Sequence, residues 1–125
     1  CLFHDMGEAF TGDIPAFSKT ETHEEIERAA IAGWLAALPA PFSQRLTALF
    51  AELEAQETQE ARLCKALDKM ETLIQHNEAP LSTWLPLEYQ LNFTYGQAQT
   101  DGDPYLEGLR AAVNQVTREK IDQGK

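Results

Sequence analysis

The sequence predicts an all-α protein. Three observations carry that expectation. Apolar residues recur at three- and four-residue intervals, no segment alternates as a half-buried strand does, and the prolines mark the breaks between periodic stretches. With 43% apolar and 24% charged residues, the chain has the profile of a globular protein. Its 125 residues are read as a single domain, 1–125, long enough to bury a core without staples.

Taken in order, Cys1 to Phe10 reads as the end of a buried helix. Gly12 and Pro15 break it, and a loop follows up to about Thr20. A second helix is expected from about Glu21 to Leu38, capped by Thr20 or Thr22, with acidic residues in its first turn. Pro39 and Pro41 end it. Ser43 is the expected cap of a third helix reaching about Ala55, with Leu46, Leu49, Phe50 and Leu53 on one stripe. Thr58 is the expected cap of a fourth, ending near His76, with Leu63, Leu67, Met70 and Ile74 at helical intervals. Between Ala79 and Gly102, interruptions by Pro80, Pro86, Gly96 and Gly102 leave a loop with one short helix around Trp84 to Phe93. Asp103-Pro104 is an N-cap followed by proline in the first helical position, so a last helix runs to about Ile121, with Leu106, Leu109, Val113 and Val116 on one face.

The formal net charge of −10 argues against general nucleic-acid binding, which needs basic patches to displace counterions. It also requires a local positive centre for any anionic substrate, and a bound divalent cation supplies one. Cys1 and Cys64, without CxxC spacing, give no disulfide framework and no thiolate zinc site. A reducing compartment, the cytoplasm, is the expectation. No apolar run is long enough to cross a membrane. The chain opens on Cys1-Leu2-Phe3 without an initiator Met, and we expect an upstream portion to precede it.

The most informative stretch is His4-Asp5-Met6-Gly7-Glu8, followed by Gly12-Asp13. A histidine and an aspartate side by side in an apolar helix end are costly unless both are satisfied. A divalent metal satisfies both, since neutral imidazole and carboxylate form a mixed nitrogen and oxygen site. Glu8 lies four residues after His4 and three after Asp5, on the same helical face, where it can take a proton from water beside the metal. Asp13, after the Gly12 turn, points back at the same place. The plain reading of these residues is different: His4 as a core histidine bonded to a carbonyl, Glu8 and Asp13 as solvated groups at a helix end.

Asp68 stands in the middle of the fourth helix, where aspartate competes for backbone groups, and is read either as functional or as a partly exposed side chain. Glu27 shares a face with Ile31, Trp34 and Leu38. It either reaches toward a metal or ligand, or forms an ion pair. Lys19, in the loop after Asp13, is a candidate phosphate contact. His23 and His76 read as surface residues near helix ends, and Trp34 and Trp84 as core or interface residues.

The set His4-Asp5-Met6-Gly7-Glu8-Ala9 with Gly12-Asp13-Ile14 resembles the signature of the HD-domain superfamily of metal-dependent phosphohydrolases. The glutamate three residues after the doublet, then Gly-Asp, is similar to its 5′-deoxynucleotidase branch, and Lys65-Ala66-Leu67-Asp68 matches the later helix of that branch. The likeness covers roughly Cys1 to Asn77. It implies an HD-domain-like helical bundle lacking its N-terminal helices in this chain, with a metal motif His…His-Asp…Asp. His4, Asp5 and Asp68 take up the doublet and the last aspartate, and the first histidine has no match here. By the same resemblance Glu8 is the catalytic carboxylate and Asp13 places the sugar or the attacking water.

The implied enzyme hydrolyses (deoxy)nucleoside 5′-monophosphates to nucleoside and phosphate with a divalent cation: Mn, Co, Mg, Ni, Fe or Zn, which the donor types do not separate. The implied partner is a small phosphorylated substrate, without nucleic acid or membrane, and the apolar helix faces are compatible with a homodimer. Two alternatives stand beside this reading. One is another HD-type reaction, on a phosphodiester or a nucleotide triphosphate. The other is a non-catalytic helical binding module, which has no physical need for His4, Asp5, Glu8, Asp13 and Asp68 together.

Overall fold

The computed structural model describes residues 1–15 and 18–124. Among the described residues the regular elements are all helical: α1 (Glu8–Thr11), α2 (Glu21–Ala37), α3 (Phe42–Ala55), α4 (Gln59–Glu78), a 3-10 turn (Leu81–Thr83), α5 (Glu88–Thr94), α6 (Gln97–Thr100) and α7 (Pro104–Gln123). The protein is all-α, as expected. No helix among the described residues is long and apolar enough to cross a membrane. The chain divides into two compact units, Cys1–Ala61 and Arg62–Lys125, with the boundary in the first turn of α4.

In the first unit, the expected buried helix end over Cys1–Phe10 is instead a run of tight turns leading into α1. The amides of His4, Met6, Glu8 and Ala9 each donate to the carbonyl three residues back, at 3.0–3.1 Å. This tighter winding differs from an α-helix in which side chains climb one face. Leu2 stays 89% exposed and Phe10 52%. Gly12, at φ +86°, ends α1 in a conformation that favours glycine. Of the loop expected up to Thr20, Ala16 and Phe17 lie outside the described residues.

Helix α2 starts where the sequence places it, and Thr20 is the cap rather than Thr22. The Thr20 hydroxyl accepts from the His23 amide, and the Thr20 amide donates to His23 Nδ1 at 3.2 Å. This is a reciprocal capping box with histidine in the position that usually holds Glu or Gln. Leu38 leaves the helix in an extended conformation, as a residue before proline must. The rings of Phe3 and Phe10 each lie 6.4 Å from that of Trp34, tying the chain around α1 to α2.

Ser43 is not the cap of α3. Its own amide already bonds Pro39 O at 3.3 Å, so the helix has begun before it and Pro41 holds the cap position. Thr58 does cap α4: its hydroxyl accepts from the Ala61 amide at 3.2 Å and donates to Glu52 Oε1 at 2.7 Å.

In the second unit, α4 and α7 supply a small core of Met70, Leu73 and Val113, with Tyr95 and Leu109 packed against it. Of the α4 stripe expected from the sequence, Met70 is buried, together with Ala66 and Leu73, whereas Leu63, Leu67 and Ile74 are exposed. Likewise α7 buries Leu106, Val113 and Thr117, and Val116 faces outward. The Asp103 carboxylate accepts from the amides of Tyr105 and Leu106, with Pro104 in the first turn, as the sequence signals. The region expected to hold one short helix holds two, α5 and α6, separated by Gly96 at φ +76°.

Trp84 is a core residue. It is buried, donates from Nε1 to His76 O at 3.0 Å, and lies edge-on to Tyr89 with ring centroids 5.5 Å apart. His76 is accordingly drawn under the Trp84 ring rather than standing free at a helix end, with centroids 5.9 Å apart.

A polar network that sequence reasoning did not find joins α4, α5 and α7. Asn92 Nδ2 donates to Thr117 Oγ1 (2.9 Å) and to Asn77 Oδ1 (3.3 Å), Thr117 Oγ1 lies 2.9 Å from Asn77 Oδ1, and Asn77 Nδ2 donates to Val113 O at 3.2 Å. Asn92 and Thr117 are fully buried. Neither cysteine is a free thiol, which corrects the expectation of reduced thiols; the lack of CxxC spacing constrains only cysteines close in sequence.

Candidate functional site

The tight turn over Cys1–Asp5 fixes the first histidine. His4 Nδ1 lies 2.6 Å from Cys1 O. A carbonyl oxygen only accepts, so Nδ1 carries the proton and the lone pair of the neutral ring is on Nε2. Nε2 in turn lies 3.1 Å from Asp5 Oδ2. Two electron-rich atoms at that separation need a positive charge beside them, either a proton or a cation. A backbone hydrogen bond on one ring nitrogen, leaving the other as the donor, is the usual arrangement of a metal-ligating histidine.

Glu8 opens α1 directly after this turn and is partly buried. Burial raises its carboxyl above the ordinary carboxylate range; the charges of Asp5, Asp13 and Glu27 push the same way, and Lys19 opposes them. Asp13 is exposed beyond the Gly12 turn, close enough for its charge to act on Glu8. The structure thus gathers Asp5, Glu8 and Asp13 into one electrostatic neighbourhood. Asp13 joins it from beyond the turn at Gly12.

Lys19 and Glu27 complete this cluster. Lys19 Nζ lies 2.5 Å from Glu27 Oε2 and 3.9 Å from Glu8 Oε1, with all three side chains partly buried. Burial alone would lower the Lys19 ammonium, but the hydrogen bond and charge of Glu27, with Glu8 and Glu24, outweigh it and raise the group above its usual value. Glu27 is therefore the ion-paired residue of the two alternatives read from the sequence, and the cation expected as a phosphate contact is held by carboxylates. Gly7 is buried beneath Glu27: a Cβ on Gly7 would stand 2.2 Å from Glu27 Cγ. The signal that marks Glu27 in the sequence, a carboxylate on an apolar stripe, was legible. Its pairing with Lys19 was not, because the partner comes from a loop.

In the second unit Asp68 sits at mid-helix on α4, half-buried, one residue from the cation Lys69, whose Nζ donates to Tyr95 Oη at 3.1 Å and lies over its ring. Its carbonyl accepts from Thr72 Oγ1 at 3.2 Å. Among the described residues His4, Asp5 and Asp68 each carry a donor atom of a kind that binds divalent cations.

An all-helical chain with a histidine-aspartate doublet and a carboxylate set close behind it is the frame in which known proteins are compared. A family model described as HD domain matches residues 1–109. The 5′-deoxynucleotidase HDDC2 of Danio rerio is 38% identical over 129 residues, covering 98% of this chain and 62% of that protein. The protein of the same name from Mus musculus is 38% identical over 80 residues, 62% of this chain and 40% of that protein. This chain thus spans less than two thirds of the length of either relative. No solved structure matches. The chain belongs to the HD-domain family.

Proposed function

We propose that the protein hydrolyses (deoxy)nucleoside 5′-monophosphates to nucleoside and inorganic phosphate, with His4, Asp5 and Asp68 holding a divalent cation, Glu8 as the base and Asp13 as the residue that places sugar or water. The observation that carries the reading is the geometry of His4, with Nδ1 2.6 Å from Cys1 O and Nε2 3.1 Å from Asp5 Oδ2, a pair that needs a positive charge beside it. That donor set, one imidazole nitrogen and two carboxylates, fits a divalent cation and gives no preference among several. The substrate class is supported by the printed names of the two HDDC2 relatives, carried here as a proposal.

When bound, the cation supplies charge neutralisation at the phosphoryl oxygens and acidifies water. The chain's own residues do the rest. Glu8 takes the proton of the attacking water at its carboxylate. The water oxygen bonds to phosphorus, the P–O5′ bond breaks, and the O5′ of the nucleoside leaves with the bonding pair and takes up a proton. The raised Glu8 carboxyl suits this task, because a stronger base accepts the proton more readily. Asp13, exposed and near enough for its charge to act on Glu8, accepts a hydrogen bond from a sugar hydroxyl or from the water in this reading.

The test is phosphate release from deoxyadenosine 5′-monophosphate by the full-length protein with manganese, beside a phosphodiester and a deoxynucleoside triphosphate. Release from the monophosphate alone supports the reading. Turnover confined to either of the other substrates contradicts it.

A further inference from the structure

We propose that Lys19 is a positioning residue: anchored by Glu27 on α2, its ammonium holds the Glu8 carboxylate in place for proton transfer. The inference rests on the reading of Glu8 as the base.

Glu8 begins a helix of only four residues and carries a side chain with three rotatable bonds. The charges that act on it from Asp5, Asp13 and Glu27 are all negative and all repel its ionised form. Left to those, the carboxylate would turn toward solvent. Among the described residues Lys19 is the cation that pairs with Glu8, at 3.9 Å. Lys19 is itself held more tightly from the other side, at 2.5 Å from Glu27 Oε2. Glu27 belongs to the seventeen-residue α2 and lies across Gly7, the residue immediately before Glu8. One rigid helix thus fixes both the backbone entering α1 and the cation facing its first side chain. Catalytic groups hold their geometry when residues on rigid elements support them in this way.

The same geometry separates this role from direct contact with phosphate. Two carboxylates already neutralise the one ammonium, so little attraction remains for a phosphoryl dianion. A phosphate contact, when lost, weakens substrate binding and raises KM. A positioning residue, when lost, lowers kcat with KM little changed.

The experiment is steady-state hydrolysis of deoxyadenosine 5′-monophosphate by the full-length, manganese-loaded protein and its variants. Lys19→Met is expected to lower kcat ~10- to 100-fold, the scale of a misplaced catalytic group. KM should stay within about twofold, and manganese stoichiometry should be unchanged by elemental analysis. Lys19→Arg should recover most of the loss, because it keeps a cation between the two carboxylates. Lys19→Met added to Glu8→Gln should cost nothing further, since both act through one step. Glu27→Gln keeps the shape and one hydrogen bond, so it should give a smaller fall in kcat without unfolding risk.

Full turnover in Lys19→Met, a rise in KM at constant kcat, loss of manganese, or an independent loss in the double variant would each overturn the inference. If Glu8→Gln keeps wild-type turnover, the reading of Glu8 as base fails first, and that result is distinguishable from an inactive Glu8→Gln with an active Lys19→Met.

Discussion

Glu27 lies directly on Gly7. The glycine has ordinary helical backbone angles, φ −57° and ψ −37°, so no conformational need explains it. The need is steric: a Cβ there would meet Glu27 Cγ at 2.2 Å and Oε1 at 2.8 Å. Gly7→Ala should push Glu27 aside and loosen its hold on Lys19. Overpacking of this kind costs roughly 1–3 kcal/mol. We expect a lower midpoint in urea unfolding together with reduced turnover. A variant as stable and as active as the parent would show that Glu27 moves away freely.

Glu8→Gln separates chemistry from stability. Turnover should fall ~10²–10⁴-fold, the usual contribution of general acid–base catalysis, with metal content unchanged. Stability should move the other way in the metal-free protein. The Glu8 carboxyl is raised in the folded state by burial and by Asp5 and Asp13, so folding disfavours its ionised form. That penalty is present above the folded-state pKa and disappears as pH falls below the unfolded value of 4.5. Thermal melts in chelator should therefore show Glu8→Gln more stable than the parent at pH 7 and equal to it at low pH.

Much of this was legible in the sequence where the signal is local. Asp103-Pro104 and Thr58 announce helix starts because a cap acts within three residues of itself, and both cap as read. Ser43 misled because the prolines before it had already opened the helix. The buried face of α4 was misread because the helix has apolar residues on two faces. Leu63, Leu67 and Ile74 on one side compete with Ala66, Met70 and Leu73 on the other, and periodicity alone does not choose between them. In the site, His4, Asp5 and Glu8 were visible as a compact motif. Lys19, a single cation in a loop, gained its meaning only from Glu27, a distant residue that packs against it.

The Asn77–Asn92–Thr117 network was invisible for the same reason, since each residue alone reads as an ordinary solvated side chain. Asn77→Ala removes the acceptor shared by Asn92 and Thr117 and the donor to Val113 O. Leaving buried polar groups unpaired costs about 1–3 kcal/mol. We expect that loss in chemical denaturation, with Asn77→Ala and Thr117→Val together costing less than the sum of the two. Strict additivity would show that the three side chains do not act as a unit.

Asp68→Ala tests the metal proposal from the side of α4. The side chain is half-buried and its substitution leaves the Met70, Leu73 and Val113 core in place. We expect retained helicity by circular dichroism and loss of the bound cation by elemental analysis. A variant that keeps stoichiometric metal would remove Asp68 from the ligand set.

The most direct measurement is anomalous diffraction from crystals of the full-length protein grown with manganese. The account expects one strong peak bonded to His4 Nε2, with carboxylate oxygens of Asp5 and Asp68 in the same coordination shell at roughly 2.0–2.3 Å. A peak that leaves His4 and Asp68 outside its shell, or no peak at saturating manganese, would contradict it.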